Sequence, residues 1–200
     1  MTKYIDVTNT YIDASVEIGE NTIIYPNVMI KGKSKIGDNC IIYMGCYIED
    51  STIGDNNTIY NSHISKSNIG NNNEIGPYAN IRENNNIRNN IKIGSFVELK
   101  NCDIEEYTRI PHISYLGDTT VGKRVNVGCG TTTANFDGEN KQKTIIKDDV
   151  FVGCNTTIIA PVILEKNSVV AAGSTITEDV NENSLAIARS RQITKEDYYD

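Results

Sequence analysis

The 200-residue chain has no tryptophan, only two histidines, three phenylalanines, three methionines and four prolines, and its aromatic content is 7%. Isoleucine, valine, asparagine and glycine dominate instead. That mix is poor for a helix bundle, because β-branched residues disfavour helix and Asn and Gly favour turns. Two histidines fall short of the three ligands of a carbonic-anhydrase-type zinc centre, so no metal is expected. The five cysteines are odd in number and form no CxxC pair, which argues against a disulfide framework or a zinc site and for a reducing cytoplasm. An excess of positive charge is also missing. The net charge of -7 excludes a general nucleic-acid binder, although a few well-placed cations can still hold an anion. Nowhere do eighteen apolar residues run together, and the first residues, MTKYIDVTNTYIDASVEIG, carry no apolar segment of the secretory kind, so no membrane partner is expected.

What is present is a period of six. Aliphatic residues recur at Ile12, Ile18, Ile24, Ile30, Ile36, Ile42 and Ile48, then from Ile53 through Ile81, Leu99 and Leu116 to Val127 and Thr133, and again from Ile146 to Ile176. This step fits neither the 3.6-residue helix nor a plain alternating strand. It fits a short strand and a turn repeated without end, three such sides closing a coil of about 18 residues, with coils about 4.8 Å apart. Gly and Asn supply the unusual backbone angles at the corners. A β-sandwich would vary more in strand and loop length. The fold expected is an all-β parallel β-helix of hexapeptide repeats over residues 1–176, with a protruding loop at 134–145 and a short C-terminal cap at 177–200.

The register brings chemistry together. Arg82 and Lys100 stack on adjacent coils, and two cations about 5 Å apart repel unless they share an anion, so a phosphate clamp is expected, with the Tyr115 hydroxyl one coil on. A second column reads Ser95, His112, Cys129, Cys154, Ala172. Beyond His112 its side chains are small, leaving a strip for a narrow linear ligand with the imidazole at its tip. Imidazole suits a base that deprotonates an ammonium nucleophile near neutral pH. His63 has no such setting and reads as structural.

The segments IGPYANIR (75–82), SFVELKN (95–101), PHISYLGD (111–118), VNVGCGTTTANFDG (125–138), KTIIKDDVFVGCNTTIIAPV (143–162) and AAGSTITEDVNENSLAIAR (171–189) resemble the acetyltransferase domain of the bacterial bifunctional glucosamine-1-phosphate N-acetyltransferase/N-acetylglucosamine-1-phosphate uridyltransferase family. The likeness covers about Tyr4 to Lys195. It implies a left-handed coil, a homotrimer with sites between subunits, acetyl-CoA as acyl donor and an amino-sugar phosphate, glucosamine 1-phosphate first, as acceptor. It implies His112 as general base, with Glu98 orienting or charge-balancing it. Arg82, Lys100 and Tyr115 would hold the sugar phosphate, and Asn126 and Asn135 would contact the sugar and the acetyl region. Lys141 would reach a neighbouring subunit. Cys129, Cys154 and Ala172 would line the pantetheine arm, with Arg189 and Lys195 on coenzyme A phosphate. Donors around Asn135 and the Cys154 backbone would meet the oxyanion.

Three positions depart from the family: Cys154 for serine, Phe136 for tyrosine and Pro111 for glycine. A thiol is a weaker donor than a hydroxyl, so a changed acyl donor or weaker transition-state stabilisation is one expectation. Cys129 and Cys154, on adjacent coils, open a covalent route or a disulfide. No glycine-rich nucleotide loop occurs and no nucleotidyltransferase domain precedes the coil, so acetyl transfer without uridylyl transfer is expected. The competing readings are acyl transfer to a nucleotide-linked amino sugar, and a non-catalytic trimerising or regulatory partner of a separate nucleotidyltransferase.

Overall fold

Isoleucine, valine and leucine every sixth residue leave one apolar side chain per short strand, too few for any strand to be stable alone. Stacking solves this. In a computed structural model describing residues 1–199, the chain winds into a parallel β-solenoid, with no α-helix among the described residues. Asp200, the last residue of the expected cap, lies outside the described residues. Most strands are two or three residues long, and each pairs in parallel with the strand one coil above and one below.

Three faces result. The first carries Ile24, Ile42, Ile59, Ile75, Ile93, Ile110, Val127, Val152 and Val170 inward, register-paired from coil to coil except between Ile110 and Val127, where the pairing runs through Arg109↔Asn126. The second carries Ile30, Ile48, Ile64, Ile81, Leu99 and Leu116. The third runs as a nine-stranded sheet from Glu17–Ile18 to Val162–Leu164. These aliphatics are almost fully buried and form one continuous core along the axis, each worth roughly 1.5–3 kcal/mol of burial.

Corners are turned by residues with positive φ, mostly Asn and Asp, whose side chains tolerate the left-handed region. At one corner the side chains also cap the backbone between coils: Asp38 accepts from the amide of Glu20, Asp55 from Asp38, Asn71 from Asp55 and Asn89 from Asn71, all within 2.8 Å.

In two coils the strand does not stop at the corner between faces one and two. Lys92–Lys100 and Arg109–Gly117 run around it as nine-residue strands, paired from Lys92↔Arg109 to Lys100↔Gly117. The bend is taken up at Phe96 (φ 57°) and Ile113 (φ 30°). A β-branched residue in that region is a rare conformation.

Two expected boundaries move. Thr132–Ala134 and Thr144–Ile146 are paired strands, so the excursion shortens from 134–145 to 135–143, because each end gains a neighbouring coil to bond to. The coil also continues past Ile176: Val180 bridges Leu164, and Leu185–Ala186 pairs with Val169–Val170. The six-residue step shortens to four between Ile176 and Val180, while the ladder persists.

Candidate functional site

The doubled strands place the predicted residues in two groups. On the second face, Asn80↔Glu98 and Glu98↔Tyr115 are register partners, which puts Arg82 beside Lys100 on adjacent coils. The anion that these two cations share within the chain is carboxylate. Arg82 Nη1 lies 3.0 Å from Glu98 Oε1, Lys100 Nζ lies 3.0 Å from Glu83 Oε1, and Arg82 Nε lies 3.8 Å from Glu83 Oε2. Glu98 raises the Arg82 pKa through its hydrogen bond, while Glu83's own backbone amide, then Lys100, lowers that of Glu83. All four side chains are about one-third exposed or more, so each ion pair is individually weak and open to exchange.

Glu98 pairs with Arg82, and His112 sits in register with Ser95.

One coil on, Tyr115 and Asn135 close over Gly117. A Cβ at Gly117 would stand 2.5 Å from the Tyr115 hydroxyl and 2.6 Å from Asn135 Nδ2, so any side chain there displaces both groups. Asn135 is buried, and its Nδ2 donates to Asp118 Oδ2 at 2.5 Å; Asn101 Nδ2 donates to the other carboxylate oxygen. Asp118 was not among the predicted residues. The register held the signal, because Lys100↔Gly117 makes Asn101 and Asp118 neighbours. Asn126 stands apart on the first face, between Arg109 and Phe151.

The second group is the corner strip. Ser95 pairs with His112, and the column continues through Cys129, Cys154 and Ala172, as the amides of Gly130, Asn155 and Gly173 bond to the carbonyls of Ile113, Cys129 and Cys154. His112 is exposed, Cys129 half-buried and Cys154 exposed, and both thiols are free. The next turn of the coil carries the column on: Thr175 N donates to Ala188 O, and Arg189 Cδ lies 3.5 Å from where a Gly173 Cβ would be. Arg189 thus stands at the end of the column opposite His112. Lys195 lies in the exposed segment beyond the last strand.

The excursion is a small hairpin. Phe136 bridges Lys141, whose ammonium lies 4.7 Å from the Phe136 ring centroid. Asp137 organises it, accepting from the amides of Asn140 (2.7 Å) and Glu139 (2.9 Å) and from Gln142 Nε2 (2.8 Å). These bonds hold the Asp137 carboxyl down at about 2. Lys141–Lys143 and Asp118 line a cleft of about 240 Å³. No group of His, Cys, Asp and Glu able to hold a metal occurs among the described residues.

Fold and repeat together define a hexapeptide-repeat β-helix protein. Residues 143–178 match the family model described as bacterial transferase hexapeptide (six repeats), and residues 7–85 match the GMPPB C-terminal domain. Among solved structures, the UDP-N-acetylglucosamine acyltransferases of Francisella novicida (TM-score 0.61, 18% identity, 94% of this chain and 67% of that one) and Campylobacter jejuni (0.62, 19%, 90% and 70%) share the fold, a left-handed β-helix.

Among curated relatives, the bifunctional protein GlmU of Clostridioides difficile is 50% identical over 196 residues, 98% of this chain and 43% of the relative. That of Listeria welshimeri is 50% identical over 190 residues, 95% and 42%. The chain spans less than half the length of these relatives, and it belongs to the GlmU family as its C-terminal part.

Proposed function

We propose that the chain is an acetyl-CoA-dependent N-acetyltransferase acting on an amino-sugar phosphate, glucosamine 1-phosphate first. The observation that carries this is the corner strip, an exposed imidazole at one end, small residues along it and the Arg189 cation at the other, beside a face bearing Arg82 and Lys100.

A pantetheine arm fits a strip of Cys129, Cys154 and Ala172, and its phosphates fit Arg189, with Lys195 in the same segment. His112 takes a proton from the sugar ammonium. The amine nitrogen bonds to the thioester carbonyl carbon, the carbon–sulfur bond breaks, the nitrogen loses its second proton to solvent, and coenzyme A leaves as the thiol with the proton that His112 took. The sugar phosphate competes with Glu83 and Glu98 for Arg82 and Lys100, and the third partner is the Tyr115 hydroxyl. Asn126 contacts the sugar from the first face.

Tyr115 and His112 lie three strand residues apart, and Asn126 lies on a different face from Asn135, which supports a site completed by a second and third copy of the chain. The exposed apolar ladder of Tyr78, Phe96 and Ile113, 55–60% exposed and next to His112, supports the same reading, as does Lys141 on a hairpin that projects from the coil.

The test is release of free thiol from acetyl-CoA with a panel of amino sugars, their 1-phosphates and nucleotide conjugates. Turnover with glucosamine 1-phosphate, lost by 100-fold or more in His112→Ala, is expected. Turnover only with a nucleotide conjugate would reassign the acceptor. Silence with every acceptor, or full activity in His112→Ala, would leave the coil as a non-catalytic scaffold.

A further inference from the structure

The strongest unassigned feature is the carboxylate of Asp118, which stands between two amides, Asn101 and the buried Asn135. An ionised carboxylate only accepts hydrogen bonds, whereas a carboxamide presents a donor end and an acceptor end that can exchange by a half-turn. Facing Asp118, the Asn135 amide has one allowed orientation, with Nδ2 on the carboxylate. Its Oδ1 is thereby turned away from Asp118. The same Nδ2 is the atom that crowds Gly117 beside the Tyr115 hydroxyl, so one N–H faces Asp118 and the amide is wedged from two sides. Burial of Asn135 makes the alternative orientation costly, since it would set two oxygens against each other away from water.

We infer that Asp118 is a positioning residue for the proposed transfer: it fixes the Asn135 carboxamide with Oδ1 available as an acceptor for an N–H or O–H of the amino sugar. This rests on the acetyltransferase reading for its substrate and refines it. Asn135 contributes an acceptor to the sugar, and stabilising the thioester oxyanion then falls to the backbone donors near Cys154. The cleft beside Asp118 is lined by Asn101, Asp103 and Lys141–Lys143, and the hydrogen bonds of the Asp118 carboxylate come from the two amides Asn101 and Asn135.

The experiment compares Asp118→Asn, Asn135→Asp and the exchanged pair Asp118→Asn/Asn135→Asp. In the exchanged pair, position 118 still accepts from Asn101 through its oxygen and donates to position 135 through its nitrogen, so the bond between coils survives. Asp118→Asn should lower kcat/KM for the amino sugar by 10- to 100-fold and leave KM for acetyl-CoA within about twofold. The exchanged pair should recover the melting temperature lost by the single variants but not the turnover. Recovery of turnover in the exchanged pair, or unchanged turnover in Asp118→Asn, would overturn the assignment and leave a purely structural bond.

A second readout needs no substrate. In 15N–1H spectra of the full chain, the Asn135 carboxamide pair should be shifted and protected from hydrogen exchange, and should lose both properties in Asp118→Asn. If wild type shows that protected pair but turns over no acceptor, the acetyltransferase reading fails while the fixed amide stands. An unprotected pair in wild type overturns the inference itself.

Discussion

At the scale of single residues, the site is a matter of which polar atoms are already committed. Arg82, Lys100, Glu83 and Glu98 neutralise one another, so the proposed sugar phosphate would exchange partners and not meet bare charge. Gly117 is small for a steric reason, and its φ is not in the left-handed region. Gly117→Ala should therefore fold, yet push Tyr115 and Asn135 apart and raise KM for the sugar phosphate, measurable by steady-state kinetics with circular dichroism as the folding control.

Asp137 gives a pH prediction with a fixed sign. Its carboxyl is depressed to about 2, so the hairpin bonds are fully present above the ordinary carboxylate range and fade only as pH falls toward 2. Hydrogen exchange at the amides of Glu139 and Asn140 should show no opening linked to Asp137 protonation between pH 5 and 8. In Asp137→Ala both amides should exchange faster. For the thiols, mass spectrometry after exposure to acetyl-CoA without acceptor should find no acetyl adduct on Cys129 or Cys154; a stable adduct would make the covalent route real.

At the scale of elements, the coil depends on two kinds of position. Inward aliphatics make the core, and Ile59→Ala, at a site with no exposure, should cost about 2–5 kcal/mol by chemical denaturation. Corner residues hold the turn. Asn72 has φ 58° and is exposed, so Asn72→Ala should cost on the order of 1 kcal/mol while Asn72→Gly is close to neutral. The long strands Lys92–Lys100 and Arg109–Gly117 differ from every other element by running through a corner. His112 and Tyr115 both lie on the second of them, so the candidate base and the phosphate face are joined by one rigid stretch, strained at Ile113.

At the scale of the molecule, sedimentation should report a trimer, burying Tyr78, Phe96 and Ile113 between copies. A monomer would remove the shared site. By itself the sequence determined the coil, because a strict step of six has few other solutions. It also determined the columns, since residues three repeats apart must lie one above another. The pairing of Arg82 with Lys100, and of His112 with Cys129 and Cys154, was legible for that reason. What side chains do across those columns was decided only in the folded molecule. Glu98 meets Arg82 because the adjacent coil sets the guanidinium beside its carboxylate. Asp118 takes both amides because the corner sets Asn101 and Asn135 against the same carboxylate. The ladder also continues past Ile176, where sequence spacing fails but backbone bonding between coils does not, since parallel strands need only a neighbour with free amides and carbonyls.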